Sequence, residues 1–376
     1  MLVLWGFCAL TDLGFSLKTG MKEKNQKKQP SNLSQIAEAA GVSKMTVSRV
    51  LRDADGFSEA TRQKVMAEVE KSGYLPNRLA AAFGPGNTST LVGVCVPRLT
   101  SHFYGQVLES VDRTFQKLGF QTMIGSHNLL AEDEELWLKS ILSWRPAGAL
   151  LSSKQHSNGT LKLLRDTGIP VVESWNLNTS PLDMSVGFNE FDSGFEMGRH
   201  SIEKGYKRAA LLGATRDWDL GGIERFNGFT RSFTDGGGTI VQEEKLNDTP
   251  GFYAGYYGTE NMLNQKHNID MIYFQDDTMA IGGLSWCQRK GINVPQDLGI
   301  AGWGGHEAAS ILTEQLTTTA VPFREIGRLS SEMLVRKLRQ EATSDVIAVP
   351  ARLIAVSYTH PPSPRDRTRS RMPSSA

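Results

Sequence analysis

From Leu91 onward the sequence alternates short apolar segments with amphipathic ones, and this alternation restricts the fold more than any other feature. "LVGVCV" and "FQTMIGS" are separated by a helical pattern, and "AGALLS" and "IPVVES" follow in the same way. A second series contains "RAALLGA", "MIYFQ" and "LGIAGW". Strands that alternate with helices at this spacing form βαβ units. We therefore predict an α/β fold with parallel sheets, helices on both faces, and a cleft between two similar halves.

Polar and aromatic residues follow or end these predicted strands. In open parallel sheets, ligands lie beyond the carboxyl ends of the strands. The candidate ligand contacts at these positions are Ser101, Phe103, Ser152, Trp175, Phe188, Asp276 and His306. Arg225 stands at the predicted start of a helix, after a glycine-rich segment. We therefore expect the cleft to bind a small molecule.

Each candidate also has a purely structural alternative. Arg225 would equally form a surface ion pair, and His306 would form hydrogen bonds within its own loop. The aromatic residues would fill the core. Asp277 is predicted to cap the helix that begins with "TMAIGG", which leaves Asp276 for the ligand. Only the shared position at strand ends favours the binding role.

Residues 31 to 77 carry a different pattern, that of three short helices. The first helix lies in "NLSQIAEAAG" and is predicted to end at Gly41 in a left-handed conformation. After a three-residue turn, Ser43 is positioned to cap a second helix from Lys44 to about Leu51. Ser58 is positioned to cap a third helix that ends at Gly73. The first two helices therefore form a helix-turn-helix.

The second helix is too polar for a core element, and its composition suits contact with DNA. In a helix-turn-helix, this helix enters the major groove N-terminus first, which places Lys44, Met45 and Arg49 at base edges. Residues 22 to 86 hold eleven Lys and Arg against seven Asp and Glu, a net charge of +4. The other predicted DNA contacts are Leu33, Ser43, Thr46, Ser48, Arg52, Ser58 and Asn77. A solvated helix in an ordinary three-helix domain is the alternative.

"LSQIAEAAGVSKMTVSRVLRDADGFSEATRQKVMAEVEKSGYLPNRLA" resembles the DNA-binding head of the LacI family of repressors nearly position for position. That resemblance implies that the following segment folds into a hinge helix on operator DNA and inserts an apolar side chain into the minor groove. Phe83 stands at that position. "GPGN" follows it directly and departs from the family pattern, so a plain linker stays the alternative.

"RFNGF", "DDTMAIG", "VPQDLGIAGW" and "LTTTAVPFREIG" resemble the regulatory domain of the same family, a periplasmic-binding-protein-like pair of α/β subdomains. By that resemblance, Arg225 would bind a hydroxyl or carboxylate of the effector, and Asp276 stands where an asparagine often binds sugar hydroxyls. Phe103, Trp175 and Phe188 would line the pocket. The implied architecture is an all-α helix-turn-helix head that a hinge joins to two parallel-sheet subdomains.

The effector class is indicated by two further features of the resemblance. Gly304 and Gly305 stand where many sugar-binding relatives carry an acidic residue, which leaves room for an anion. "LSWRPAGALLSS" and "AGWGGHE" resemble the gluconate-repressor branch, whose ligands are sugar acids or their phosphates. We predict a cytoplasmic transcription regulator, most simply a repressor of sugar-acid catabolic genes. Its expected partners are operator DNA, a sugar acid or sugar, and a second copy of the chain, with a tetramer left open.

Two other classes of protein compete with this interpretation. An enzyme is disfavoured because the sequence lacks a phosphate-binding loop, a nucleophile elbow and paired metal ligands, so no catalytic residue, metal or cofactor is predicted. A secreted sugar-binding protein would suit the apolar N-terminus, but export would separate the basic head from DNA. No run of about 20 apolar residues is present to cross a bilayer.

The predicted domains include two ends that look foreign to the fold. The first 17 residues resemble a signal-peptide core without its basic region and cleavage site, and the C-terminus is rich in Pro, Arg and Ser. We assign residues 1–30 to an extraneous or disordered extension, 31–77 to the head, 78–90 to the hinge, 91–355 to the effector-binding and dimerisation domain, and 356–376 to a disordered or artefactual tail.

Overall fold

The computed structural model describes residues 32–51, 55–75, 89–128, 130–177, 179–213, 220–246, 251–265 and 268–356. The chain divides into two compact units at the boundary between residues 81 and 82. Phe83 and most of the predicted hinge lie outside the described residues, as do the predicted contacts Arg52 and Asn77. Residues 1–30 and 357–376 also lie outside them.

The first unit contains the three predicted helices, α1 (Leu33–Ala39), α2 (Lys44–Leu51) and α3 (Glu59–Ser72). Local sequence fixes their ends. Gly41 and Gly73 adopt left-handed conformations with φ of 67° and 65°, which glycine reaches without a steric penalty. Ser58 caps α3 as predicted. Asn32 caps α1 in a capping box with Gln35, a signal that our sequence analysis overlooked.

A small apolar core holds these helices together. Ile36 and Ala37 of α1, Val47 and Val50 of α2, and Val65 of α3 are buried against one another. Because only one narrow face of α2 contributes to this core, the rest of that helix is left for solvent or for another molecule.

The second unit alternates strands and helices as predicted. Its strands are β1 (Leu91–Val96), β2 (Gln121–Ser126), β3 (Gly148–Leu151), β4 (Val171–Asn176), β5 (Met184–Phe188), β6 (Arg208–Gly213), β7 (Thr239–Lys245), β8 (Met271–Phe274), β9 (Gly299–Ala301), β10 (Thr318–Ala320), β11 (Val346–Ala348) and β12 (Arg352–Ile354). Its helices are α4 (His102–Leu118), α5 (Ala131–Leu142), α6 (Asn158–Thr167), α7 (Glu190–Glu203), α8 (Leu220–Asp235), α9 (Phe252–Asn264), α10 (Asp277–Lys290), α11 (Ala308–Ile311) and α12 (Phe323–Leu338).

Ten of the twelve strands form two parallel sheets, one in each subdomain, and β10 and β12 form a separate two-stranded sheet. The first subdomain has the strand order β11-β5-β4-β3-β1-β2, and the second has β7-β6-β8-β9. The chain leaves the first subdomain after β5 and returns after β10 to form α12 and β11. It then leaves again to form β12, which pairs antiparallel with β10. The chain therefore crosses between the subdomains three times.

Apolar residues cover both faces of the first sheet, because successive side chains along a strand point to opposite sides. Val94 and Leu150 pack on one face with α4 and α12. Cys95 and Leu151, their neighbours in sequence, pack on the other face with α5 and α6. This two-sided core positions the carboxyl ends of the strands at the cleft.

Candidate DNA-binding and effector-binding sites

The outward face of α2 carries the side chains that we predicted to contact base edges. Lys44 and Arg49 are exposed, and Met45 is 67% exposed although it is apolar. Val47 and Val50, on the opposite side of the helix, are buried. The structure therefore presents the three predicted base contacts on one accessible surface.

The other predicted DNA contacts in the described residues have structural tasks as well. Ser43 caps α2, since its Oγ accepts a hydrogen bond from the Thr46 backbone N–H at 3.0 Å. Ser58 does the same for Thr61 at 3.2 Å in α3. Leu33 packs against the core of the head, and Thr46 and Ser48 are half-buried. Contact of these residues with DNA stays a prediction.

A cavity of about 320 Å³ lies between the two subdomains of the second unit, a size that suits a small ligand. Its lining residues are Arg98, Thr100, Ser101, His102, Phe103, Tyr104, Trp175, Glu190, Arg225, Gly251, Phe252, Gln275, Asp276, Thr278, Trp303 and His306. Six of the eight predicted effector contacts line it: Ser101, Phe103, Trp175, Arg225, Asp276 and His306. They come from both subdomains, so a ligand here would touch both.

Aromatic rings form much of the wall of this cavity. Trp175 stacks on Tyr104 with ring centroids 4.0 Å apart and on Phe323 at 4.7 Å. Its backbone φ is 95°, a region that costs a non-glycine residue about 1–3 kcal/mol. Gly187 stands opposite it in β5 and leaves room, since a Cβ there would lie 2.3 Å from the Trp175 carbonyl oxygen. The surrounding packing therefore holds Trp175 in this unfavourable backbone conformation.

Arg225 is buried at the cavity and held from three sides. Its Nη1 donates to Glu190 Oε2, its Nη2 donates to the Gln275 carbonyl oxygen at 2.8 Å, and its guanidinium lies 3.8 Å from the Trp303 ring centroid. The prediction that Arg225 starts a helix was wrong, because α8 begins earlier, at Leu220. The residue lies in the second turn, where its planar group is fixed before any ligand binds.

The helix cap that we predicted for Asp277 is provided by its neighbour Asp276. Asp276, and not Asp277, caps α10, because its Oδ1 accepts hydrogen bonds from the Met279 N–H at 2.9 Å and the Thr278 hydroxyl at 2.6 Å. Burial raises the pKa of the Asp276 carboxyl. Asp276 nevertheless still lines the cavity.

Asp277 instead ties the start of α10 to β10 and to the loop after β9. Its carboxylate accepts hydrogen bonds from the Thr318 hydroxyl at 2.6 Å and the His306 N–H at 2.7 Å. Burial raises the pKa of Asp277 to about 7, against the effect of these hydrogen bonds. This carboxylate therefore positions the backbone of His306.

Two predicted effector contacts do not line the main cavity. Ser152 is buried directly after β3, where its backbone N–H continues the sheet by bonding to the Cys95 carbonyl at 3.0 Å. Phe188 is 2% exposed and packs in the core of the first subdomain, with Trp175 and Trp303 against it. Phe188 also borders a second space of about 230 Å³ beside the Lys154–Glu224 ion pair. In this structure Phe188 therefore packs in the core, and the backbone of Ser152 extends the first sheet.

Several cavity residues were missed by the sequence analysis, although a signal was present. Glu190, Gln275 and Trp303 each lie at or just beyond the end of a strand, which is the same position that singled out the predicted residues. Arg98 and His102 lie in the connection that follows β1 and at the start of α4. Reading every residue at strand ends, and not only selected ones, would have found them.

In the described part of the chain, no group of three or more His, Cys, Asp or Glu is arranged to hold a metal ion. None of the described helices is both long enough and apolar enough to span a bilayer.

Comparison with known proteins identifies the family. The profile of bacterial regulatory proteins, lacI family, matches residues 32–77, and that of the periplasmic binding protein-like domain matches residues 199–355. The HTH-type transcriptional regulator GntR of Escherichia coli (strain K12) is 31% identical over 85% of this chain and 95% of its own length. The chain belongs to the LacI family.

Solved structures agree with this assignment. A LacI-family transcriptional regulator from Silicibacter pomeroyi is 32% identical, covers 86% of this chain and 98% of its own, and superimposes with a TM-score of 0.80. The Lac repressor dimer bound to operator and the anti-inducer ONPF shares the fold, with a TM-score of 0.77 at 23% identity over 87% of this chain and 98% of its own. As a LacI-family member, the chain is a DNA-binding transcriptional regulator and not an enzyme, and its partners are operator DNA and a small-molecule effector.

Proposed function

We propose that this LacI-family regulator acts in the cytoplasm as a homodimeric repressor of sugar-acid catabolic genes, and that a sugar acid in the inter-subdomain cavity controls it. The observation that carries the proposal is the pairing of two features in one chain. One is an exposed, basic α2 in the head, and the other is a cavity of about 320 Å³ with aromatic walls and a fixed guanidinium.

We assign recognition of the operator base sequence to Lys44, Met45 and Arg49. Their exposure on one face of α2 supports direct contact with base edges, and an arginine that pairs bidentately with guanine contributes about 1–3 kcal/mol of discrimination. Two heads on a two-fold operator would reach half-sites about 34 Å apart, which requires a dimer. Sedimentation of the protein alone and with a two-half-site duplex tests the dimer.

Replacement of Arg49 by Ala tests whether this residue recognises the base sequence of the operator. We expect a roughly 5- to 150-fold loss of preference for operator over scrambled duplex, with effector affinity unchanged. Lys64→Ala is the matched control, because Lys64 is an exposed cation on α3 of the same head. It should weaken binding to all duplexes to a similar, small degree. Unchanged discrimination among operator variants in Arg49→Ala would refute the groove assignment.

The sugar-acid assignment is supported by the chemistry of the cavity and by the gluconate-repressor resemblance. Aromatic rings such as Trp175 suit the apolar faces of a sugar, and Arg225 lines the cavity with its guanidinium fixed by Glu190 and the Gln275 carbonyl. Gly304 and Gly305 leave the loop after β9 without a carboxylate next to Trp303. An anionic ligand therefore meets less repulsion here than in relatives that carry an acid at this place.

Calorimetry with gluconate, idonate, their phosphates and neutral sugars tests the effector class. Arg225→Lys keeps the charge beside Glu190 and removes the fork, so we expect at least a tenfold weaker effector affinity with operator affinity preserved. Arg231→Lys is the control on the same helix, because its side chain is 70% exposed and pairs with Asp235. Equal effector affinity in both variants would show that the pocket is misplaced.

A further inference from the structure

We propose that the acid group of the effector binds at one end of the cavity, between Arg98 and the paired imidazoles of His102 and His306. This inference rests on the proposed sugar-acid function and adds the orientation of the ligand and the residues that select its charge. The group in question is an anion, either the carboxylate of the sugar acid or the phosphate of its phosphorylated form.

The two arginines that line the cavity differ in the protein groups that already bind their guanidinium groups. Arg225 is committed to Glu190 and to the Gln275 carbonyl, so its charge is balanced within the protein. Arg98 is half-buried at the same cavity and has no ion pair or hydrogen bond with any described residue. A cation that is partly withdrawn from water and lacks a protein partner is a ready partner for an anionic ligand.

The imidazoles of His102 and His306 face each other across the cleft. Their ring centroids are 4.2 Å apart and the planes are inclined by 32°. His102 belongs to α4 of the first subdomain, and His306 follows β9 of the second. Both rings line the cavity, so an anion beside them would contact both subdomains at once.

Hydrogen bonds decide which ring nitrogens are available to a ligand. His306 Nδ1 accepts from the Ala308 backbone N–H at 3.1 Å, so in the neutral ring the proton resides on Nε2 and can be donated. His102 Nε2 pairs with the Gln106 side-chain amide at 3.0 Å, which leaves Nδ1 of His102 for another partner. Each ring therefore has one nitrogen that the described protein groups do not occupy.

The start of α4 adds to this end of the cavity. The helix has 17 residues and its N-cap Ser101 lines the cavity together with Thr100. The positive end of the helix dipole therefore lies beside Arg98 and His102, where it favours an anion. Asp276 and the Glu190–Arg225 pair also line the cavity, and their carboxylate and guanidinium groups suit the hydroxyl groups of the same ligand.

This arrangement gives the acid group a regulatory role as well. Because Arg98 and His102 are on one subdomain and His306 is on the other, an anion held by all three favours the state in which the subdomains are close. A neutral polyol of the same length would fill the cavity without this link. The charge of the ligand therefore determines how strongly binding is coupled to closure.

Calorimetry on the full chain with two pairs of ligands tests the inference. Gluconate and glucitol differ only in the carboxylate, and 6-phosphogluconate and glucose 6-phosphate separate the carboxylate from the phosphate. We expect the wild-type protein to bind gluconate at least tenfold more tightly than glucitol. Arg98→Gln and His306→Gln should abolish that difference, because each removes a contact with the carboxylate. Arg113→Gln, an exposed residue on α4, is the control and should retain it.

The outcomes separate this inference from the proposed function. If Arg98→Gln loses affinity for glucose 6-phosphate and not for gluconate, the subsite takes phosphate, and the reverse result assigns it to carboxylate. If gluconate binds and both variants keep its full preference over glucitol, the subsite is wrong while the sugar-acid function stands. If none of the four ligands binds the wild-type protein, the proposed function and this inference fail together.

Discussion

The replacement of His156 by Gln provides a quantitative test of the electrostatics inside the first subdomain. The imidazole is 2% exposed and lies between two buried carboxylates, with Nδ1 2.6 Å from Glu134 Oε1 and Nε2 3.3 Å from Glu173 Oε1. His127, also buried, lies near this group, and burial lowers its pKa. Burial alone would lower the pKa of His156, but the hydrogen bonds and charges of Glu134 and Glu173 raise it to about 9.

The size of the effect follows from this environment. A glutamine side chain in place of His156 would keep a polar group but remove the positive charge, and breaking a buried ion pair typically costs about 3–5 kcal/mol. The raised pKa gives a similar figure, since a shift from 6.5 to about 9 corresponds to roughly 3 kcal/mol. Because the folded pKa exceeds the unfolded one, this stabilisation is complete below pH 6.5 and is lost as the pH rises through about 9.

Urea unfolding followed by tryptophan fluorescence reports mainly on the second unit, because six of the seven tryptophans of the chain lie in residues 82–376. We expect the free energy of unfolding of His156→Gln to fall by about 3 kcal/mol at pH 7, with a smaller difference from wild type at about pH 10. Lys162→Gln on α6 removes an exposed pair with Asp166 and should cost under about 0.5 kcal/mol. A loss below about 1 kcal/mol for His156→Gln, or one that is equal at both pH values, would contradict this account.

Three further substitutions test other parts of the structure. Val47→Ala removes buried methyl groups from the small head core and should lower its free energy of unfolding by about 2 kcal/mol, measured by circular dichroism, whereas Met45→Ala at the exposed face should change it little. Gly194→Ala would place a Cβ 1.8 Å from the Arg225 carbonyl oxygen, so α7 and α8 must separate, and calorimetry should show a loss of about 1–3 kcal/mol or more. Lys154→Gln breaks the ion pair with Glu224 that joins the subdomains at 2.7 Å, and because both side chains are partly exposed, effector affinity should fall by less than about fivefold.

The features that the sequence predicts well are local ones. The alternation of strands and helices, the caps at Ser43 and Ser58 and the left-handed ends at Gly41 and Gly73 depend on residues within a few positions of each other, and the structure confirms them. Pattern and turn chemistry suffice for such elements.

Features that depend on distant residues could not be predicted in this way. Phe188 and Trp303 are both aromatic residues at or beyond strand ends, and only three-dimensional packing places the first in the core and the second beneath Arg225. The two glycines of "LGGIERF" indicate a loop, yet they lie inside α8, where a Cβ on Gly221 would meet Glu190 at 2.8 Å. The return of β11 to the first sheet is likewise set by pairing with β5 and not by its own sequence.

The three passages of the chain between the subdomains also limit how such a regulator can be altered. In the sequence, α12 and β11 of the first subdomain come after all four strands of the second sheet. Neither subdomain is therefore a contiguous stretch of sequence. If two relatives were recombined at a single breakpoint within residues 189–345, β1 to β5 of the first sheet would come from one parent and β11 from the other. The core of the first subdomain would then be mismatched. Exchange of ligand specificity between relatives should succeed when the entire segment 91–355 is transferred as one cassette, or when isolated wall residues are changed by point mutation.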